Sequence, residues 1–166
     1  MPLPNKVLTR IGFGGGCHWC TEAVFDVLRG VDSVAQGFIR SDAPDDTWSE
    51  AVDVQFQAQV IPLRVLVEIH LRTHASTSNH SMRGKYRSAI YVHSEAQAKD
   101  VDDTLSALQP GFDAPLVTRV LPFRGFKFSD PRFHGYYQKN ADGPFCTRYI
   151  DPKLDKLRHD FAAHLE

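Results

Sequence analysis

Residues 7–22, VLTRIGFGGGCHWCTE, decide how this chain begins its fold. The apolar and β-branched run at 7–13 predicts a strand, and the three glycines at 14–16 predict that the strand stops at a tight turn. Apolar residues then recur at helical spacing as far as Leu28, and Gly30 is placed to end that helix. We therefore expect Cys17 at or near the N-terminus of a helix that follows a strand and a glycine turn.

This location favours chemistry at Cys17. A thiol attacks as its thiolate, and the free amide N–H groups and the dipole of a helix N-terminus favour negative charge. The glycines let a substrate approach the backbone closely, because no Cβ stands in the way. Cys20 follows one helical turn later, within disulfide reach if that turn relaxes a little. The sequence therefore predicts a redox nucleophile at Cys17.

Two other interpretations of the cysteines stay open at this point. Cys17 and Cys20 could be small buried apolar residues, although glycine turns rarely present residues to a core. Alternatively, Cys17, Cys20 and Cys146 could bind zinc together with one of the eight histidines. No second C-x-x-C accompanies the first, so the metal-binding pattern is weak.

The rest of the chain alternates between strand and helix patterns. Strands are predicted at 33–39 and 50–57, joined by an acidic turn at 42–46. The later predicted elements are a helix at 62–74, a strand at 88–93, a helix at 95–109, a strand at 115–123 and helices at 130–140 and 152–165. The resulting order, β-α-β-β-α-β-α-β-α, predicts an α+β fold, a two-layer sandwich with a mainly antiparallel mixed sheet and a ferredoxin-like core.

Composition predicts one soluble domain. The 166 residues are 42% hydrophobic and 23% charged, which is typical of a single globular domain at 1–166, with a tail from about residue 141. The formal net charge is −1 and no basic run is long enough to follow a phosphate backbone, so nucleic acid is not an expected partner. Residues 1–10 contain no apolar stretch of signal-peptide or membrane-span length. We expect a cytoplasmic monomer that does not enter a membrane.

The motif around Cys17 resembles that of a known family. Residues 16–22, GCHWCTE, are similar to the G-C-F-W-x-x-E signature of the A-type peptide methionine sulfoxide reductases. Further stretches follow in the family's order: GV at 30–31, GF at 37–38, EAV at 50–52, YRSAIY at 86–91, PFC at 144–146 and IDPKL at 150–154. The resemblance spans roughly residues 7–161. It implies an enzyme that reduces methionine S-sulfoxide, free or in proteins.

The resemblance also implies roles for particular residues. Cys17 would attack the sulfoxide sulfur, and Glu50, aided by Tyr86, would donate a proton to its oxygen. Attack leaves a sulfenic acid on Cys17, with which a second thiol condenses. Cys20 and Cys146 are both candidates for that thiol, and the family holds a recycling cysteine in a tail like that of Cys146. Thioredoxin or another dithiol is the implied reductant, and no metal or further cofactor is implied.

The substrate's methyl group needs an apolar pocket, for which we expect His18, Trp19 and Phe38 as walls. Two of these positions depart from the family, which has Phe where this chain has His18 and commonly Tyr where it has Phe38. The loop at 76–85 is shorter than the family's and lacks its carboxylate. The family's Glu-x-Tyr-His-Gln helix signature survives only in part at 133–137. These departures leave the attack chemistry intact and bear on rate and substrate preference.

Two rival functions accompany this interpretation. A thioredoxin-like disulfide oxidoreductase also places C-x-x-C after a strand at the start of a helix, but gives no role to Glu50 or Tyr86. A non-enzymatic zinc-binding module would use the cysteines as ligands.

Overall fold

The computed structural model describes residues 7–79, 83 and 85–165. The strands and helices are, in chain order, β1 Thr9–Gly14, α1 His18–Asp26, β2 Val31–Arg40, β3 Ser49–Phe56, α2 Leu63–Arg72, β4 Ala89–Val92, α3 Glu95–Leu108, β5 Arg119–Pro122, β6 Gly125–Phe128, α4 Tyr136–Asn140 and α5 Asp151–Asp160. A π-helical turn at Cys146–Ile150 leads directly into α5. Among the helices of these residues, none combines the length and the apolar character needed to cross a bilayer.

The strands form one sheet in the order β5-β4-β1-β3-β2-β6. β5 pairs with β4 in parallel, and the other neighbouring strands pair antiparallel. The predicted α+β fold with a mixed, mainly antiparallel sheet is thus confirmed. α1 packs on the middle of this sheet, against β2 and β3, and also contacts α4 and α5. The first turn of α1 therefore lies where the sheet meets the C-terminal helices.

The central strand β3 is buried on both faces. Its residues Val52, Val54 and Phe56 belong to the main core, in which Phe13 of β1 stacks on Phe25 of α1 at 4.6 Å between ring centroids. Residues on the opposite face pack in a second, smaller cluster formed by Ile39, Ala51, Ala89 and Tyr91. Burying one such large apolar side chain contributes about 1.5–3 kcal/mol. The sheet is therefore a rigid platform for the side chains at the ends of its strands.

Several predicted elements are wrong in their bounds or type. β6 was not predicted, and it forms because its four residues pair with β2, a partner distant in sequence. The predicted helix at 130–140 is a 3₁₀ turn at Pro131–Phe133 followed by α4, since Gly135 between them has a left-handed φ of 65°. The predicted strand at 115–123 is reduced to β5. The predicted helix at 152–165 ends at Asp160 and is followed by a 3₁₀ turn at Ala162–His164.

Candidate active site

The glycine turn after β1 is shaped by close contacts. Gly15 has a φ of 149°, and a Cβ at this position would lie 2.5 Å from the ring of His74. A glycine is needed here because an L side chain would meet both a strained backbone and that ring. The carbonyl of Gly15 accepts a hydrogen bond of 2.7 Å from Nη1 of Arg83. The same Nη1 donates to the carbonyl of Tyr86 at 2.9 Å, so Arg83 ties the turn to the segment before β4.

Cys17 lies at the N-cap position of α1, as the sequence predicts. Its carbonyl accepts hydrogen bonds from the backbone N–H groups of Cys20, at 3.1 Å, and Thr21, at 3.2 Å. The pKa of the half-buried Cys17 thiol is lowered, chiefly because the Cys20 thiol donates a hydrogen bond to its sulfur. Backbone N–H groups of Trp19 and Cys20 also lower this pKa, whereas burial and the charge of Glu50 raise it. The site therefore favours the thiolate at Cys17.

The other two cysteines are built differently. All three cysteines are free thiols, and Cys20 and Cys146 are buried. The pKa of Cys20 is raised, first because its proton is held in the hydrogen bond to Cys17 and next because of burial. Burial also raises the pKa of Cys146. Both residues therefore favour the protonated thiol, whereas the site favours the thiolate at Cys17.

Lys153 of α5 lies close enough to interact electrostatically with the first two cysteines. Its charge lowers the pKa of Cys20, although the net shift of that pKa is upward. Burial lowers the pKa of Lys153 itself, and its electrostatic interactions with the sulfurs of Cys20 and Cys17 partly offset this effect. Its ammonium donates a hydrogen bond to the carbonyl of Thr73. The C-terminal helix thus contributes a cation beside the reactive sulfurs.

Glu50, near the start of β3, reaches the first turn of α1. Its side chain is only 7% exposed, so the carboxyl is largely removed from water. Oε1 accepts a hydrogen bond of 3.3 Å from the backbone N–H of His18 and lies 3.3 Å from Nε2 of the same residue. Oε2 lies 3.5 Å from Nζ of Lys85. The structure therefore brings Glu50 and the Cys17 turn together, as the family pattern implies.

Tyr86 is connected to Glu50 through Lys85. Nζ of Lys85 lies 5.1 Å from the centroid of the Tyr86 ring. The pKa of Lys85 is raised, mainly by its hydrogen bond to Tyr86 and the charge of that residue, and further by Glu50. Lys85 was not predicted, because an exposed lysine in a loop gives no sequence signal that separates it from ordinary surface charge.

The three residues expected to line the methyl pocket fall into two groups of rings. His18 contacts Phe38 edge to face, with 5.2 Å between centroids. Trp19 stacks on Tyr136 at 4.3 Å and contacts Phe145 edge to face at 5.2 Å. Tyr136 and Phe145 belong to the C-terminal part of the chain, which the sequence analysis had not joined to Trp19. The two groups stand on adjacent residues of the first turn of α1.

Glu22, the last residue of the GCHWCTE motif, joins α1 to α4. Its carboxylate accepts hydrogen bonds from the backbone N–H groups of Gly135, at 2.9 Å, and Tyr136, at 3.3 Å. Nε2 of Gln36 also donates to it, at 3.0 Å. Glu22 therefore holds Tyr136 where Trp19 stacks on it.

His70 of α2 and His74, which lies just beyond the end of α2, have the H-x-x-x-H spacing found in some zinc sites. Nε2 of His70 donates to the carbonyl of Gly14 at 2.7 Å, and Nε2 of His74 accepts from the hydroxyl of Ser88 at 2.8 Å. Across residues 7–79, 83 and 85–165, no group of three or more His, Cys, Asp or Glu side chains is arranged to hold a metal ion. Both histidines instead contact the glycine turn, His70 at the carbonyl of Gly14 and His74 at Gly15.

Comparisons with known proteins agree with the motif. A family model described as peptide methionine sulfoxide reductase matches residues 9–165. A peptide methionine sulfoxide reductase of Sulfolobus acidocaldarius is 33% identical, covering 89% of this chain and 92% of its own. Another from Thermus thermophilus is 32% identical, covering 98% and 99%. The structure of Mxr1 from Saccharomyces cerevisiae in reduced form has the same fold, with a TM-score of 0.71 at 23% identity over 87% of this chain and 92% of that one.

Proposed function

Because this chain belongs to the peptide methionine sulfoxide reductase family, we propose that it reduces methionine S-sulfoxide, free or in proteins, to methionine. The observation that carries this proposal is the pairing of two groups at one helix start. The pKa of the Cys17 thiol is lowered, and the carboxyl of Glu50 accepts a hydrogen bond from the backbone N–H of His18, the residue that follows Cys17. A nucleophile and an acid are what the reaction needs.

In the first step the Cys17 thiolate attacks the sulfoxide sulfur while a proton from Glu50 reaches the sulfoxide oxygen. The oxygen is transferred to Cys17, which becomes a sulfenic acid, and the substrate sulfur leaves as the thioether of methionine. Cys17 is oxidised by two electrons and the substrate is reduced by two. Tyr86 would assist the proton donor, supported by its link through Lys85 to Glu50.

In the second step Cys20 or Cys146 condenses with the sulfenic acid and releases water, which leaves a disulfide. The hydrogen bond between the Cys20 and Cys17 thiols supports Cys20 as the first partner. Cys146, in the segment from about residue 141, would pass the disulfide on to thioredoxin or another dithiol. No metal or further cofactor takes part in this scheme, and residues 1–166 would act as one catalytic domain.

Substrate recognition would use the rings at the first turn of α1. His18 and Phe38 on one side, and Trp19 on the other, would hold the methyl group while the oxygen faces Glu50. Such a site accepts one configuration at sulfur, because exchanging methyl and oxygen would place the oxygen against apolar rings.

We make two further proposals, one on the core of the fold and one on the location and oligomeric state of the enzyme. The segment β1-α1-β2-β3-α2-β4, with neighbours in the order β4-β1-β3-β2, supports a ferredoxin-like core within a two-layer sandwich. We expect the protein to act as a cytoplasmic monomer.

The test is consumption of racemic methionine sulfoxide with dithiothreitol as reductant. We expect the mixture to be consumed only to about half, with methionine as the product. Mass spectrometry after one turnover without reductant should find a disulfide that includes Cys17. Consumption of neither isomer, together with reduction of an unrelated protein disulfide, would instead support a thioredoxin-like oxidoreductase. Complete consumption of both isomers would contradict the proposed arrangement of rings and acid.

A further inference from the structure

The side chain of His18 is held between two oxygen atoms inside the protein. Nδ1 lies 2.8 Å from the carbonyl oxygen of Gly37, and Nε2 lies 3.3 Å from Oε1 of Glu50. The side chains of His18 and Glu50 are each only 7% exposed. The ring contacts Phe38 edge to face, which limits its rotation. Each ring nitrogen therefore faces one oxygen atom of the protein.

The carbonyl of Gly37 fixes the tautomer of this histidine. A backbone carbonyl only accepts hydrogen bonds, so Nδ1 of His18 must carry a hydrogen. In the neutral imidazole Nε2 then has a lone pair, which faces a carboxylate oxygen that also has only lone pairs. The 3.3 Å contact between Nε2 and Glu50 is attractive only if the imidazole or the carboxyl carries one more proton. That proton can reside on Oε1 or on Nε2, and in both cases the pair holds it.

We propose that His18 and Glu50 together form the acid of this reductase, with the transferred proton shared between Nε2 and Oε1. This inference rests on the proposed function and assigns its proton source to two residues instead of one. The family signature has Phe at this position, so the assignment is specific to chains with a histidine here. The polar residue that replaces the family's Phe at position 18 would thus take part in the reaction.

The charged and titratable groups around the pair come from α1, the segment before β4, and β6. On α1, Cys17 lies directly before His18, and the charge of Glu50 acts on its thiol. From the segment before β4, Lys85 places its ammonium 3.5 Å from Oε2 of Glu50, and it also interacts with Tyr86. From β6, Nζ of Lys127 lies 5.2 Å from the ring centroid of Phe38, the residue of β2 against which His18 packs.

These neighbours fit a shared proton. The ammonium of Lys85, 3.5 Å from Oε2 of Glu50, offsets the negative charge that remains on the pair after its proton has left. Donation of the shared proton to the sulfoxide oxygen leaves a carboxylate at Glu50 and a neutral imidazole with its hydrogen still on Nδ1. The oxygen, now bearing this proton, ends on Cys17 as the sulfenic acid. Solvent returns a proton to the pair before the next turnover, so charge and atoms balance over the cycle.

The test compares His18→Asn and His18→Phe with wild type in single-turnover reduction of methionine S-sulfoxide between pH 6 and 9. Asn can keep a donor for the carbonyl of Gly37, and Phe restores the family's ring, but neither can hold the shared proton. For both variants we expect the alkaline fall in rate to move to lower pH by about one unit, because Glu50 must then hold the proton alone. The control is His93→Asn, which replaces a histidine outside the site and should keep the wild-type dependence of rate on pH.

A second variant separates proton holding from space filling. His18→Ala should lose rate at pH 7.5, and added imidazole should restore part of it. Pyrazole has the same shape and is much less basic, so it should not. Equal rescue by both compounds would show that His18 only fills space, and would overturn the proposal.

The wild-type protein provides a direct measurement that no folding defect can disturb. The ¹⁵N chemical shifts of His18 should show a protonated Nδ1 throughout this pH range. A hydrogen on Nε2 with a bare Nδ1 would overturn the proposal, as would His18→Asn and His18→Phe profiles that match the wild type. If wild type itself fails to reduce methionine S-sulfoxide, the proposed function fails instead, so the two failures are distinguishable.

Discussion

Cys17 and Cys146 occupy similar positions in the chain's local structure and have opposite properties. Cys17 is the N-cap of α1, and Cys146 opens the π-helical turn that precedes α5. Cys17 is half-buried and its pKa is lowered, whereas Cys146 is fully buried and its pKa is raised. A position near the start of a helical element is therefore not enough to activate a thiol.

The difference comes from what reaches each sulfur. The thiol of Cys20 and the backbone N–H groups of Trp19 and Cys20 all hydrogen-bond to the sulfur of Cys17. Burial is the main influence on Cys146, and the charge of Asp151 adds to it. Hydrogen bonds stabilise the charged form directly, while burial without them removes water and favours the neutral thiol. The surroundings of Cys17 thus favour a thiolate, whereas those of Cys146 favour a protonated thiol.

The two regions are nevertheless packed together. Phe145, next to Cys146, contacts the ring of Trp19 at 5.2 Å. The turn before it is hydrogen-bonded, since the N–H of Gly143 donates to the carbonyl of Asn140 at 2.8 Å. An electrostatic interaction with Cys146 also raises the pKa of Cys20. A disulfide relay would therefore run between residues that are already neighbours.

The largest expected effect follows from replacing the activated thiol. Cys17→Ser should abolish reduction of methionine S-sulfoxide, because a neutral hydroxyl cannot replace a thiolate as nucleophile. Circular dichroism should show an unchanged fold, since the two side chains have nearly the same size. Activity within tenfold of wild type would remove the distinction between Cys17 and Cys146.

Glu50→Gln should separate the acid from the nucleophile. Gln keeps the shape but loses the transferable proton, so turnover should fall by roughly 10²-fold or more. Alkylation of Cys17 by iodoacetamide should not become slower, because that reaction needs the thiolate and no acid. A large loss of turnover without a loss of thiol reactivity is the expected signature. An unchanged turnover would make Glu50 an ordinary residue at the end of a strand.

Cys146→Ser sharpens the role of the buried Cys146 thiol. The first turnover should stay fast and form a Cys17–Cys20 disulfide, while thioredoxin-supported turnover should fall on the order of tenfold because Cys146 is then no longer present to pass the disulfide on. Dithiothreitol should restore the rate, since a small reductant can enter the site. Cys146→Ala is the matched variant, because it places no hydroxyl in the core where Cys146 lies.

Replacing Cys20 distinguishes the remaining routes. Cys20→Ser should block the first disulfide and leave either a sulfenic acid on Cys17 or a Cys17–Cys146 bond, which mass spectrometry resolves. Normal thioredoxin-supported turnover of the Cys146 variants would make the tail cysteine a bystander.

The comparison of the two cysteines also shows what the sequence can predict. The strand, glycine turn and helix around Cys17 were predicted correctly because local patterns determine them, as β1 and α1 show. The surroundings of Cys146 depend on distant partners. The helix predicted at 130–140 breaks at Gly135, whose N–H is satisfied by Glu22, 113 positions earlier in the chain. No local pattern signals such a bond.

The candidate site follows the same division. The sequence indicated Cys17 directly, and Glu50 and Tyr86 only through the resemblance. Lys85, Lys153 and the clamp formed by Arg83 were missed, because long basic side chains are expected on surfaces and their contacts here arise only in the folded chain. The catalytic roles of the predicted residues stay predictions until the variants are measured.

The smallest expected effect concerns His74, whose ring lies against Gly15 of the glycine turn. Burial lowers the pKa of His74 to about 4, below the ordinary value of 6.5 that it has in the unfolded chain. Between about pH 6.5 and 4, His74 therefore binds a proton in the unfolded state but not in the folded state. This contribution to stability is lost as pH falls from 6.5 towards 4, by about 1.4 kcal/mol per pH unit and about 3 kcal/mol in all.

His74→Gln should flatten the dependence of the free energy of unfolding on pH between 6.5 and 5, measured by urea denaturation, because Gln does not titrate. The exposed His159→Gln serves as the matched control and should keep the wild-type slope. The His74 ring lies against Gly15, two residues before Cys17. As the pH falls, we therefore also expect the alkylation of Cys17 to slow at a higher pH than the one at which the buried Cys146 becomes accessible to the same reagent. Simultaneous exposure of both thiols would show that the two regions unfold as one unit. An unchanged slope in the His74 variant would mean that its ring is not held neutral by burial.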